Sequence, residues 1–234
     1  FSAVNETRGG LAIPATGAGG SWVVKLPSRE FEGVPENEFA MMDLARRVGI
    51  NVPQIQLIDV DEIGNLPKGI GKVGGKAFVI ERFDRAPDGP IHIEDFAQVF
   101  GVYPHSKYKK ASHRNIAEVL AAETGEADIA EFIRRLTFNT LIGNADMHLK
   151  NWSLIYPDQR SVRLAPAYDF VSTIPYIPDE NAALKFSRTK RFDEFTLDEL
   201  SHLAAKARLP EKAVLETAKE TVERFHQTWA AEKS

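Results

Sequence analysis

The apolar periodicity of this chain changes at one place, the cluster Ala86-Pro87-Asp88-Gly89-Pro90, and that change limits what the chain can fold into. Before the cluster, apolar residues come in short runs at 1–4, 11–14, 22–26, 54–60 and 76–82. Glu6-Thr7-Arg8-Gly9-Gly10, Gly17-Ala18-Gly19-Gly20 and a connection rich in glycine (Gly64, Gly69, Gly71, Gly74, Gly75) separate them. Short apolar runs bounded by turn formers predict strands of a small antiparallel sheet. One helix interrupts them. Pro35 suits its first turn, Gly49 its end, and Ala40, Met41, Leu44, Ala45 and Val48 predict its buried stripe.

Beyond the cluster the period is helical. Helices are predicted over 93–100, 114–123 and 127–142, the last with Ile129, Phe132, Ile133, Leu136 and Thr140 on one face. Thr196-Leu197-Asp198-Glu199 predicts a capping box opening a helix with Leu197, Leu200, Leu203, Ala204 and Ala207. Pro210 starts another, with Val214, Ala218, Val222, Phe225 and Trp229 as its stripe. Residues 182–191 follow neither period. The expectation is an α+β chain of two lobes, 1–83 and 84–234, the first sheet-based and the second mostly helical. Its 234 residues suffice for a sizeable core.

Composition removes several function classes. With no cysteine there is no disulfide framework, thiolate metal site or cysteine nucleophile. A formal charge of −4 argues against a protein whose main task is coating nucleic acid. No apolar run approaches the ~18–20 residues of a membrane span, and no signal peptide is visible, so a cytoplasmic enzyme with no membrane partner is expected. Phe1 is not an initiator Met, which suggests processing, truncation or an unobserved beginning.

The chemistry concentrates in the second half. Asp146 and Asn151 stand five apart in Asn144-Ala145-Asp146-Met147-His148-Leu149-Lys150-Asn151, between a long helix and a strand predicted at 152–156. A further short strand is predicted to end at Asp169, in Ala165-Pro166-Ala167-Tyr168-Asp169-Phe170. Upstream, Lys25 lies inside an apolar strand, where an ammonium is costly unless an anion meets it. Glu38 shares the inward side of the first helix and is the natural partner, Glu36 being less well placed; the alternatives are that both acids only favour the positive end of the helix dipole and that Lys25 is an edge-strand lysine with a solvated tip. One carboxylate at an incoming hydroxyl, an amide and a carboxylate as hard oxygen ligands for Mg²⁺, and a lysine for phosphates are the requirements of phosphoryl transfer. A His148-based metal site for hydrolysis is the less favoured reading, since His92, His105 and His113 show no ligand spacing; His148 is expected to pair with Asp169 or backbone and shape the loop. Two basic clusters, Lys107, Lys109, Lys110 and Arg114, then Arg188, Lys190 and Arg191, suit solvated faces, a phosphate-binding edge of the cleft or a nucleic-acid surface.

Several stretches in order resemble the HipA family of bacterial toxin kinases: 24–27, 36–38, Glu81-Arg82-Phe83-Asp84-Arg85, Glu94-Asp95-Phe96-Ala97-Gln98, Lys107-Tyr108, 144–151 and 166–169. The resemblance implies a two-lobed Ser/Thr protein kinase fold using ATP and Mg²⁺. It implies Asp146 as catalytic residue, Asn151 and Asp169 as metal ligands, Lys25 as the ATP lysine held by Glu38, and Glu81 and Phe83 at the adenine hinge, with His148 also in the cofactor site. Members of that family are growth-arresting toxins that phosphorylate an aminoacyl-tRNA synthetase, glutamate–tRNA ligase in one case. They are restrained by a DNA-binding antitoxin of HipB type, and any DNA contact would run through it. The family's N-terminal subdomain, and the Gly-rich loop that can carry an autophosphorylated Ser, have no visible counterpart; a hairpin turn is the expected form of 17–20. The alternatives are a small-molecule kinase of the aminoglycoside or choline type, and a catalytically silent nucleotide-binding partner of an antitoxin.

Overall fold

Strand β6 (Lys76–Glu81) is the axis of the N-terminal lobe, with Ala77–Ile80 buried between β4 (Ile55–Asp59) and β3 (Trp22–Lys25), both antiparallel to it. The computed structural model describes residues 1–5, 11–14, 19–67, 73–103 and 111–231. β1 (Ser2–Asn5), β2 (Leu11–Ala12) and β5 (Ile63–Gly64) extend the sheet in the order β4-β6-β3-β1-β2-β5. It is not wholly antiparallel as expected: β5 returns after the turn at Val60–Glu62 and pairs parallel to β2. Gly20 lets β3 approach β1. A Cβ there would lie 2.0 Å from the Ala3 carbonyl oxygen, so no larger residue fits.

Alternation along β6 divides the lobe into two packed faces. Ala77 and Val79 join Ala3, Trp22, Val24, Val60 and Ile63 on one side. Phe78 and Ile80 face helix α1 (Val34–Val48), which covers the other. Lys25 is paired in register with Phe78 and shares its face, so period two alone delivers its side chain beneath α1. α1 buries Pro35, Glu38, Met42, Leu44, Ala45 and Val48. Met42 replaces the predicted Met41, and Ala40 is exposed. The helix is wedged between the sheet and the final helix, and that seat selects the 38–42–45 ridge.

The helical lobe is built from α3 (His113–Glu123), α4 (Glu126–Leu141), α5 (Leu197–Ala207) and α6 (Glu211–Ala231). Ile116, Leu120, Phe132, Ile133, Leu136, Trp152, Phe186 and Leu203 form its core. The Pro/Gly cluster folds as a small hairpin of β7 (Arg85–Ala86) and β8 (Gly89–Pro90), and the helix predicted over 93–100 is instead strand β9 (His92–Asp95) followed by the short α2 (Phe96–Val99). Pairing of β9 with β10 (Ser153–Tyr156) overrides the helical period, and Asp95 caps α2 in a reciprocal box with Gln98. The predicted capping box at Thr196 is half formed. Thr196 caps the Glu199 N–H, but the Glu199 carboxylate accepts from the amides of Ser187 and Arg188. Leu197 and Trp229 are largely exposed rather than in their predicted stripes, Trp229 stacking on Phe225.

A further cluster ties the lobes together. Phe138, Ile142, Phe170 and Phe225 from the helical lobe pack with Met42, Phe78 and Ile80. Among the described residues, no helix is long and apolar enough to cross a membrane.

Candidate active site

The loop carrying Asp146 is positioned from below by buried amides. α4 ends near Gly143 in the left-handed region (φ 63°), and a Cβ there would meet the Ile174 side chain at 2.8 Å. Asn139 and Asn144 are both buried; Asn144 Nδ2 donates to Asn139 Oδ1 at 2.8 Å, and Asn139 Nδ2 to the Arg135 carbonyl at 2.9 Å. Asn144 Oδ1 then accepts the Asp146 N–H at 3.1 Å. From the opposite side Thr173 Oγ1 accepts the Ala145 N–H at 2.8 Å and donates to the Gly143 carbonyl. Met147 and Leu149 anchor in the core, whereas the Asp146 side chain is 56% exposed. These bonds pin the loop backbone while the Asp146 carboxylate faces outward.

Asn151 closes the loop. Its Nδ2 donates to the Asp146 carbonyl at 3.0 Å and its N–H to the His148 carbonyl, in the turn Leu149–Asn151. With the amide nitrogen spent on the loop, the side-chain oxygen is the end left for a ligand. His148 is buried, and its Nε2 lies 3.9 Å from Asp146 Oδ1. Among the described residues no group of three or more His, Cys, Asp or Glu could hold a metal ion.

Lys25, Glu38 and Asp169 meet beneath the sheet. Lys25 Nζ donates to Glu38 Oε1 at 2.6 Å and to Asp169 Oδ1, and lies 5.9 Å from the centre of the Phe78 ring. Burial would lower the Lys25 ammonium, but the Glu38 and Asp169 carboxylates outweigh it and hold it above the ordinary lysine value. Burial pushes the Glu38 carboxyl up to about 7, with Lys25 pulling it back and Asp169 pushing it further. Asp169 does not end a strand, as the sequence suggested. β11 is only Arg163–Leu164, and Pro166, which lacks an N–H, follows. Arg135 donates to the Ala165 carbonyl and Ala167 N–H to that of Asn51, so side-chain and cross-lobe bonds replace a ladder. Asp169 itself adopts φ 64°, a left-handed conformation costing roughly 1 kcal/mol that turns its carboxylate against Lys25.

Two cavities open on either side of this machinery and share no lining residue. One, of about 370 Å³, is bounded by Val23, Lys25, Glu38, Ile80, Phe83, Tyr168 and Asp169, with Asp84, Asp95, Gln98 and Lys150 around it. Glu81 also lines it. The amides of Glu81 and Arg82 are committed to the Gln54 and Ser21 carbonyls, whereas that of Phe83 has no partner among the described residues. The other, of about 790 Å³, contains Asp146, Arg114, Lys185 and Lys190. The structure thus brings Lys25, Glu38, Glu81, Phe83 and Asp169 to one cavity, with Asp146 on the neighbouring one and Asn151 and His148 in the loop between.

Sequence reasoning missed the supports. The Tyr168 ring packs at a tilt against Phe83, centroids 5.7 Å apart, and its hydroxyl reaches Ser153 Oγ (2.6 Å) and the Lys150 carbonyl (2.9 Å). Desolvation, reinforced by the Asp169 and Asp95 carboxylates, raises that phenol, so it stays protonated. Asn37 on α1 reads the backbone of Ser172 with both ends of its amide, Nδ2 to the carbonyl (3.0 Å) and Oδ1 from the N–H (2.9 Å). An amide beside an inward glutamate was the only hint. Of the basic clusters, Arg188 is engaged by Glu199 and Asp198 and Arg191 by Asp193 and Glu180, while Lys190 faces the larger cavity. Lys107, Tyr108, Lys109, Lys110 and residues 15–18 lie outside the described residues.

Comparison with known families decides the kinship, for the family described as the HipA-like C-terminal domain matches residues 3–229. The chain belongs to that family. It is 62% identical to "Putative kinase Y4dM" of Sinorhizobium fredii over its whole length, and 29% identical to the serine/threonine-protein kinase toxin HipA of Shewanella oneidensis over 60% of it. It covers 58% of the first relative and 34% of the second, so this HipA-like chain spans little more than half the length of the relative it matches best among these. Among solved structures, the Shewanella oneidensis HipA, HipB and operator DNA complex matches with a TM-score of 0.78 at 22% identity, covering 99% of this chain and 56% of that one. The Helicobacter pylori proinflammatory kinase CtkA matches with a TM-score of 0.54 at 14% identity, covering 98% and 94%. The fold is therefore the α+β protein-kinase-like fold.

Proposed function

We propose that this HipA-like chain is the catalytic part of an ATP-dependent serine/threonine protein kinase. The observation that carries the reading is the Lys25–Glu38–Asp169 cluster at the wall of a cavity beside the pinned Asp146 loop. In this reading adenine lies between Val23, Ile80 and the Phe83–Tyr168 rings, with the Phe83 amide as donor and Glu81 at the same edge. Lys25 meets the phosphates, kept in place by Glu38.

The oxygen donors of Asn151 and Asp169 suit Mg²⁺, which takes few protein ligands and keeps waters. When bound, Mg²⁺ supplies charge neutralisation along the phosphates. Asp146 orients the acceptor hydroxyl and takes its proton. The hydroxyl oxygen forms its bond to the γ-phosphorus while the bond from that phosphorus to the ADP oxygen breaks. His148, behind Asp146, positions the loop.

Kinship with the HipA toxin supports a growth-inhibiting, cytoplasmic role within a toxin–antitoxin pair. An aminoacyl-tRNA synthetase is then the substrate, a HipB-type antitoxin the restraining partner, and DNA is met only through that partner. The full-length native protein incubated with radiolabelled ATP, Mg²⁺ and cell lysate tests this. Label on a synthetase-sized protein is expected. A labelled metabolite points instead to a small-molecule kinase, and absence of any transfer despite ATP binding to a silent partner.

A further inference from the structure

A buried histidine with no part in the chemistry assigned above lies against the catalytic loop. His113 opens α3 directly after its cap Ser112 and is 1% exposed. Its ring stacks on Phe186 (centroids 5.8 Å apart, planes 21° apart) and meets Trp152 edge-on (5.8 Å, 71°). Its backbone N–H donates to the Lys185 carbonyl and that of Arg114 to the Phe186 carbonyl, each at 2.9 Å, so the start of α3 is seated on the 185–186 backbone. The ring meets the catalytic loop at two places. Trp152 directly follows Asn151, and the Met147 carbonyl, between Asp146 and His148, faces the imidazole.

A phenylalanine would fill this space without burying polar atoms. An imidazole is costly there: burial lowers it to about 4, so at neutral pH it is uncharged, with one N–H to donate. Neither ring nitrogen has a close hydrogen-bond partner, the Met147 and Lys185 carbonyls standing at longer range. The carbonyls on either side of Met147 are already taken, that of Asp146 by the His148 N–H and Asn151 Nδ2 and that of His148 by the Asn151 N–H. Among the described residues no such donor reaches the Met147 carbonyl, which is left to the imidazole. We infer that His113 is a positioning residue, its imidazole N–H directed at the Met147 carbonyl and drawn to hydrogen-bonding distance when nucleotide and acceptor occupy the site, so that the Asp146 carboxylate and the Asn151 oxygen are held in line. The inference deepens the kinase reading and rests on it. Catalytic hydrogen bonds are commonly long before substrates bind and tighten in the complex, and a misplacement of ~1 Å at such a loop costs about 10²-fold in rate.

The test measures initial rates of label transfer from ATP to lysate protein, with ATP varied, for the full-length native protein and its His113→Phe and His113→Gln variants. Phenylalanine keeps the stack on Phe186 and the contact with Trp152 but has no donor; glutamine keeps a donor and loses the ring. For His113→Phe the rate at saturating ATP should fall about tenfold, with the half-saturating ATP concentration and the melting temperature unchanged. His113→Gln should recover part of that rate at a lower melting temperature. A ring that only fills space gives the reverse order, His113→Phe at full rate and His113→Gln the slower, and would overturn the assignment. If neither variant folds, nitrogen-15 NMR of the native protein labelled at histidine decides. The His113 ring N–H should be protected from exchange and move downfield when a non-hydrolysable ATP analogue and Mg²⁺ bind. A resonance that stays in place with the analogue bound would overturn the role of His113 and leave the kinase reading standing. No transfer by the native protein to any lysate component would overturn both.

Discussion

The two cavities flanking the Asp146 loop are built on opposite principles. In the smaller one the central charges are settled inside the protein: Lys25 bonds two carboxylates, Tyr168 two oxygens and Arg82 holds Asp84, while Val23, Ile80, Phe83 and Ile93 share the wall with Glu81, Asp95, Gln98 and Lys150. In the larger one, which holds Asp146 and on the kinase reading receives the acceptor, Arg114 pairs with Glu118 at 3.4 Å, Lys190 faces Asp179 beyond ion-pair distance, and the wall is alanine and serine rather than aromatic. A site that always holds the same ligand can be pre-organised around it. One that must pass different protein segments cannot be shaped to a single ligand. The Asp146 loop belongs to both, its backbone fixed by buried asparagines and its carboxylate exposed beside His148.

Removing the shared element should have the largest effect. Asp146→Asn is expected to lower phosphoryl transfer by at least ~10²-fold while thermal unfolding stays unchanged, because the side chain is exposed. Steady-state assays beside melting curves check both halves. Lys25→Ala strikes only the smaller cavity. It should weaken nucleotide binding by about tenfold or more, read by calorimetric titration, and leave Glu38 buried without its cation.

Asn37→Ala should act more subtly. It cuts the two bonds that tie α1 to Ser172, three residues beyond Asp169, so kcat should fall several-fold with little change in the KM of the acceptor. An effect on acceptor KM alone would place Asn37 with the larger cavity instead.

The smallest effect concerns pH. Because burial raises Glu38 to about 7 from 4.5, the folded chain holds a proton there that the unfolded chain has released. That contribution to stability is complete below pH 4.5 and is lost as pH rises through 7. Glu38→Gln should remove this decline, so the melting temperature of the variant gains on the native protein between pH 5 and 8. His113 works with the other sign: burial lowers it from 6.5 to about 4, and its contribution, present above 6.5, is lost as pH falls through 4. Acid sensitivity should therefore persist in Glu38→Gln.

How much of this was legible in the sequence follows from the range of each cause. Lys25 and Glu38 could be read because strand and helix periods fix which way a side chain points, and a buried ammonium calls for an anion. The helices of the second half could be read from their stripes, within a residue or two. Long-range pairing could not. β9 read as helix because only β10, some 60 positions later, makes it a strand. Asn37 finds Ser172 at a separation of 135 residues, and Tyr168 finds Lys150 across 18. Glu199 looked like half of a capping box until the 187–189 amides claimed its carboxylate. The division of cations between paired and unpaired was likewise invisible, since Arg188, Lys190 and Arg191 look alike in one dimension.

An acyl-phosphate derivative of ATP, which acylates lysines held at the nucleotide's phosphates, tests the account where its two cavities differ. With Mg²⁺ present, mass spectrometry should find label on Lys25 and Lys150, removed by excess ATP, and none on Lys185 or Lys190. Label confined to Lys185 and Lys190, or spread without competition by ATP, would contradict the assignment of the smaller cavity to nucleotide and with it the mechanism drawn from Asp146.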